Sequence, residues 1–382
     1  MTQRVTFIHT SDFQWGMQRW FLEGEAQARF SAARLAAVER LGDLATRTGA
    51  QFIVAAGDVF EHNSLTRQTT GRANEVLAGL PVPVYLLPGN HDPLVADSIF
   101  RTATAENVHV LGDSVPQEVA DGVELVGAPL LTKHVNRDLV AEALQGLEPT
   151  ENIRIAVGHG QVSSRTSTPS PAEIDLAQVE QAVRAGTIDY LALGDTHSTQ
   201  NLSATGAVWF SGSPEVTDFH GLETDNGERD SGNALVVTIE KDGTGPATVT
   251  VEKHHVGQWR FDAVSAELDS LEDVESFLSQ LRAYENKDRT VIKYGLTGTL
   301  SLTAQRALES GLDELTDIFA ALYPRERLMD LVTEPDPDEL DNLGLTGFAA
   351  SALEELVEDM SAGDLEARDA TNLLFRLTAK GA

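Results

Sequence analysis

Apolar positions change their spacing along the chain, and the changes predict the elements. "RVTFIHT" at 4–10, "QFIVAAGD" at 51–58 and "PVYLLPGN" at 83–90 are short apolar runs closed by turn residues, the pattern of buried strands. Between them, "EAQARFSAARLAAVERLGDLATRTG" at 25–49 and "TRQTTGRANEVLAGL" at 66–80 carry apolar residues at helical spacing. This β-α-β-α-β progression predicts a layered α/β domain with parallel strands.

Shorter apolar runs follow: "VHVLGD", "GVELVGAP", "IRIAVGH", "DYLALGD", "AVWFSG", "NALVVTIE" and "ATVTVEKHHV". Several are separated by turn residues with no helix between, which predicts a second, mainly antiparallel sheet packed on the first. Beyond residue 257 the pattern reads strand-helix-strand-helix-strand, with the second helix running through "AQRALESGLDELTDIFAALY" at 304–323. "EPDPDELDN" at 334–342 is rich in proline and acid and makes a linker, and two helical patterns close the chain. The expected architecture is α/β. A two-sheet β-sandwich flanked by helices fills 1–257, a small α/β cap fills 258–336, and a linker with C-terminal helices fills 337–382.

Composition narrows the function classes. The 382 residues are 41% hydrophobic and 23% charged, ordinary for a globular protein. No apolar run has bilayer length and "MTQRVTFIHTSD" lacks a signal pattern, so a soluble cytoplasmic protein with no membrane partner is expected. With no cysteine, a metal site must use His, Asp, Glu, Asn or Gln. The net charge of −31, from 28 basic and 59 acidic residues, lacks the footprint of a protein that grips nucleic acid unaided.

The chemistry-bearing residues fall at the ends of the predicted strands. Asp12 and Gln14 follow the first, Asp58 stands in "AAGDVFEHN", and Asn90, His91 and Asp92 stand in "LLPGNHD". His159 closes "AVGHGQ", and Asp195 and His197 stand in "LALGDTHS". Buried strands bring such groups to one sheet edge, where α/β folds build sites. A single "GD" is ordinary turn chemistry; the recurrence is the signal. His9 and the remaining histidines, His62, His109, His134, His220, His254 and His255, fit no ligand position, although His62 and His220 are candidates for the site's mouth. Arg19 and Trp20 in "MQRWFL" read as a packed helix start, with substrate contact as the alternative.

The order and spacing of "SDFQWG", "GDVFE", "GNHD", "GH" and "GDTH" resemble the calcineurin-like metallophosphoesterase pattern over about residues 5–215. "FIHTSDFQWG", "AGDVFEHN" and "WFSGSPEV" resemble the SbcD-like DNA-repair nuclease branch within it. The resemblance implies two divalent metal ions. Asp12, Gln14, Asp58 and His197 would hold the first, and Asp58, Asn90, His159 and Asp195 the second, with Asp58 bridging. It also implies that a hydroxide held between the ions attacks the phosphodiester, while His91 steadies the phosphate or protonates the leaving alkoxide and Asp92 orients its ring.

This sequence departs from the family pattern at Gln14, where a histidine is usual, and at Asp195, where another is usual. Both replacements still offer oxygen, so Mn²⁺, or Mg²⁺, is expected rather than Zn²⁺. The leading expectation is a DNA exonuclease subunit partnered by an SMC-like coiled-coil ATPase docked on the C-terminal helices. The alternatives are a phosphoesterase on small substrates and a catalytically weakened scaffold for that ATPase; a homodimer is left open.

Overall fold

The computed structural model describes residues 2–102, 105–163, 172–219, 228–334 and 347–362, with scattered positions as far as 374. They form two compact units, Met1–Arg260 and Phe261–Ala382. The first is mixed α/β, two large sheets flanked by helices.

Its first sheet runs, in spatial order, β12 (Thr248–His255), β11 (Asn233–Lys241), β1 (Gln3–Thr10), β2 (Ile53–Ala55), β3 (Val84–Leu86) and β4 (Val108–Val110). Pairing is parallel from β1 to β4, whereas β11 and β12 add antiparallel on the other side of β1. The second sheet runs β5 (Gln117–Ala120), β6 (Val123–Gly127), β7 (Ile153–His159), β8 (Tyr190–Gly194), β10 (Val208–Phe210) and β9 (Gln200–Asn201).

The alternation of side chains along each strand builds the layers. On β1, Val5 and Phe7 join Phe52, Val54, Ile155, Val157 and Tyr190 in a core between the sheets. Ile8 points the other way and packs with Ile53 and with Leu41 of α1 (Gly24–Thr48) and Leu77 of α2 (Arg67–Ala78). Burial on both faces is why these strands read as unbroken apolar runs.

The second sheet corrects the antiparallel expectation. Its centre, β6-β7-β8-β10, is parallel, and only the edges β5 and β9 pair antiparallel. The crossovers are α3 (Leu139–Leu144) and α4 (Leu176–Arg184), six and nine residues long, too short for periodicity to announce them. Asp138 and Asp175 cap them, accepting from Ala141 N and from Ala177 and Gln178 N.

The second unit contains β13 (Arg260–Glu267), α5 (Leu271–Arg282), β14 (Thr290–Leu300), α6 (Leu302–Thr316), β15 (Ala321–Pro324), β16 (Asp330–Thr333) and α7 (Phe348–Ser361). Here the long second helix is corrected. It stops at Thr316, and Ala321–Pro324, which continue its apolar spacing, instead pair parallel with Val291–Tyr294. Tertiary pairing overrides local propensity. The predicted linker lies almost wholly outside the described residues, as does most of the last helical pattern.

Candidate metal centre

Asp12, Asp58, Asn90, His159 and Asp195 stand at or a few residues beyond the C-terminal ends of β1, β2, β3, β7 and β8. Backbone bonds from Asp12 N to Gly57 O (3.0 Å) and from Gln14 N to Asp58 O (2.9 Å) tie the first two loops together. Asp12, Gln14, Asp58 and Asp195 have φ of 54°, 43°, 51° and 96°, four of the five non-glycine residues with positive φ among those described. Such backbone costs roughly 1–3 kcal/mol each and persists only where its surroundings over-determine it. Close approach explains two glycines. A Cβ on Gly89 would lie 2.1 Å from Asp58 Oδ1, and one on Gly57 would lie 2.1 Å from His159 Nδ1.

One half of the cluster gathers Asp12, Gln14 and His197. Asp12 is wholly buried; Ser11 Oγ donates to its Oδ2 at 2.5 Å, and the Asp195 N–H meets its oxygens at 3.2 and 3.3 Å. Burial pushes the Asp12 carboxyl up. Gln14 Nε2 lies 3.0 Å from His197 Nε2, which is 3.8 Å from Asp12 Oδ1. The outer nitrogen of His197, Nδ1, meets Thr217 Oγ1 at 2.5 Å and the Glu228 carboxylate at 3.5 Å. Thr217 donates its own proton to Glu228, so the relay runs from imidazole to hydroxyl to carboxylate.

The other half gathers Asn90, His159 and Asp195. His159 Nδ1 lies 2.8 Å from Ala56 O, so Nδ1–H donates to that carbonyl and Nε2 faces inward. There it meets Asn90 Oδ1 at 2.8 Å, Asp58 Oδ1 at 3.3 Å and Asp195 Oδ1 at 3.7 Å. Burial opposes both charges, but Asp58 holds His159 well above the usual imidazole range, and His159 holds Asp58 below the usual carboxylate range. Gln161 donates its amide to Asp195.

His91 flanks Asp58. Its backbone N–H donates to Asp58 Oδ1 at 3.0 Å, and its Nε2 is 4.0 Å from Asp58 Oδ2. The ring is set by Glu61, whose carbonyl is 3.0 Å and carboxylate 3.7 Å from Nδ1. That corrects the role expected of Asp92. Asp92 is fully buried, and its oxygens accept the N–H groups of Phe60 (2.9 Å) and Gly89 (2.8 Å), pinning two site loops to each other. Burial, with the Asp58 charge, pushes it up to about 7.

The donor set fits divalent cations. Asp12, Asp58 and His159 each bring one ligand atom within 4.8 Å of the others. Gln14 Oε1 is buried with no hydrogen-bond partner, the one ligation-capable atom of that side chain. A buried polar atom without a partner is costly, and a cation at this position would satisfy it.

Glu228, Thr217, Glu61 and Arg34 complete the site and were not singled out from sequence. Arg34, on α1, donates to Phe13 O (2.9 Å), Asp12 O (3.2 Å) and Val216 O (3.1 Å), joining the first ligand loop to the segment that holds Thr217. An arginine among the apolar positions of an amphipathic helix was the available signal. His9 is structural: its nitrogens meet Tyr190 Oη (3.0 Å) and Leu193 O (3.1 Å), and burial lowers it to about 3. Trp20 is not a packed helix start; it is 80% exposed, and the helix begins at Gly24. Arg19 donates to Thr217 O. His62 is exposed, its Nδ1 meeting Ser64 N at 3.2 Å, and His220 lies outside the described residues.

The profile of a family described as calcineurin-like phosphoesterase matches residues 5–199, just over half the chain. An uncharacterized metallophosphoesterase, YhaO of Bacillus subtilis (strain 168), is 27% identical over 216 residues, 53% of this chain and 51% of that protein. The chain therefore spans about half the length of this relative. Among solved structures, TT1561 of Thermus thermophilus aligns at 10% identity over 66% of this chain and 100% of that one, with a TM-score of 0.38. A dimetal phosphatase from Danio rerio aligns at 11% identity over 65% of this chain and 98% of that one, also at 0.38.

Proposed function

The chain belongs to the calcineurin-like phosphoesterase family, and from that premise we propose that it is a phosphodiesterase acting on DNA, an exonuclease subunit in repair. Membership supports reading the protein as a metal-dependent phosphoester hydrolase. The observation that carries the reading is the place of Asp58. Its carboxylate lies 3.3 Å from His159, accepts the His91 N–H and groups with Asp12, so it touches both halves of the cluster.

In this reading Asp12, Gln14, Asp58 and His197 hold one divalent cation, and Asp58, Asn90, His159 and Asp195 hold another. When bound, such ions neutralise charge on phosphoryl oxygens and acidify a water for attack at phosphorus. The oxygen-rich donors favour Mn²⁺ or Mg²⁺ over Zn²⁺. His91 stays outside the ligand set. Its Nδ1–H donates to Glu61 O at 3.0 Å, which fixes the ring, and Nε2 is the nitrogen left to face the leaving alkoxide and hand it a proton.

The polynucleotide substrate is supported by the SbcD-like blocks "FIHTSDFQWG", "AGDVFEHN" and "WFSGSPEV". The net charge of −31 is consistent with a partner supplying much of the phosphate grip, and the partner in this reading is an SMC-like ATPase that docks on the C-terminal segment. The same charge favours a second reading, hydrolysis of small phosphorylated molecules.

The test sets linear duplex DNA, single-stranded DNA and a chromogenic diester against Mn²⁺, Mg²⁺, Zn²⁺ and Ca²⁺, with His91→Ala as control. DNA cleavage lost in the variant is the expected result. Cleavage of the small ester alone moves the assignment to the second reading, and silence on every substrate overturns both.

A further inference from the structure

A cavity of about 470 Å³ adjoins the second half of the metal centre, with Asn90 and His159 in its wall. That volume lies within the roughly 300–1,000 Å³ of small-molecule pockets. Leu130, Val140 and Ile174 give it apolar surface, while Lys133, His134 and Arg137 bring basic groups from one short segment. The segment reverses the local charge in a chain with 59 acidic and 28 basic residues.

We propose that this cavity is the subsite for one nucleotide unit of the substrate, with the nucleoside against the apolar wall and its flanking phosphate held by Lys133, His134 and Arg137. The inference rests on the phosphodiesterase reading of the adjoining centre. A small phosphate ester would use the ligand cluster alone; a nucleotide within a strand carries a second phosphate, and the basic segment gives it a place.

The segment is built for exchange. Lys133, His134 and Arg137 are exposed, and the Arg137 pair with Glu142, at 3.2 Å, joins side chains 61% and 49% exposed. Exposed pairs of this kind contribute little, so a phosphate, which a guanidinium can bind through two parallel hydrogen bonds, competes well for Arg137. Thr132 Oγ1 donates to His134 O at 3.1 Å and shapes the loop. Glu173 adds a carboxylate to the wall whose Oε2 is buried without a hydrogen-bond partner. The exocyclic amino group of a base is a donor that meets it.

The test compares kcat/KM for a tetradeoxyadenylate with that for bis(p-nitrophenyl) phosphate in Mn²⁺, using wild type and Lys133→Glu/Arg137→Glu. The double variant should lower the ratio of the two about tenfold or more, mainly through KM for the oligonucleotide. A ratio within twofold of wild type overturns the subsite. A second arm titrates a non-hydrolysable phosphorothioate tetradeoxyadenylate calorimetrically. If wild type cleaves neither substrate, the phosphodiesterase reading falls, and this arm still decides the cavity: Kd raised about tenfold in the variant sustains it, and an unchanged Kd ends it.

Discussion

The two halves of the metal centre hold an imidazole in opposite ways. His159 has a fully buried side chain, and its outer nitrogen is fixed by a backbone carbonyl, Ala56 O at 2.8 Å. His197 has a side chain 27% exposed, and its outer nitrogen is fixed by side chains alone, Thr217 and, through it, the buried Glu228. The first arrangement cannot be removed by substitution at its anchor; the second can. The half that depends on Glu228 is also the half with Gln14, a neutral amide whose only ligating atom is a carbonyl oxygen. A charged group behind His197 raises the basicity of that ligand where its neighbour is weak.

The largest effect belongs to the residue both halves share. Asp58→Asn should abolish hydrolysis, by more than about 10³-fold, beyond the 10²–10³ typical of removing one preorganised stabilising donor. Calorimetric Mn²⁺ titration should show weakened binding in both halves. Loss confined to one half would break the bridging assignment. Next is His91→Ala, which should cost roughly 10²–10⁴-fold in kcat, the range for a general acid. Mn²⁺ stoichiometry should stay at the wild-type value, because His91 touches Asp58 and Glu61 and is not placed as a ligand. A variant that loses a metal ion would move His91 into the coordination set.

Glu228→Gln addresses the contrast itself. Outer-shell carboxylates typically contribute 10–100-fold in metal affinity, so one Mn²⁺ equivalent should bind about 10–100-fold more weakly while the other is retained. Activity should return as Mn²⁺ is raised. Equal weakening of both equivalents would show that Glu228 acts on the fold and not on His197.

How much of this was legible in the sequence follows from where each residue sits. Asp58, Asn90, His159 and Asp195 end strands whose apolar runs are local and whose turns carry glycine, so a strand reading already groups them at one edge. Glu228 offers no such cue. It lies 31 residues beyond His197 outside any strand or helix, and only the tertiary fold brings it to Thr217. Asp92 stood inside a recognised motif, yet its side chain turned to the amides of Phe60 and Gly89, because a buried carboxylate takes the donors within reach. The parallel centre of the second sheet was hidden by crossovers too short for periodicity, and β15 by apolar spacing that a helix and a buried strand share.

The smallest expected effect is also the sharpest probe of the contrast. Gln14→His replaces the neutral amide with imidazole at a buried position whose φ is 43°. Histidine is among the residues enriched in left-handed backbone, so the change suits the loop. It should tighten the weaker Mn²⁺ equivalent about tenfold, which is about 1.4 kcal/mol, and shift preference toward Zn²⁺, since imidazole suits that ion. In a Glu228→Gln background the same substitution should recover most of the lost affinity, because both changes act on one half. Parallel Mn²⁺ and Zn²⁺ titrations of the two single variants and the double variant measure that coupling. A gain on one Mn²⁺ equivalent and a loss on the other, with no recovery of the weakened one, would mean that Gln14 and Glu228 serve different ions and that the contrast between the halves is drawn in the wrong place.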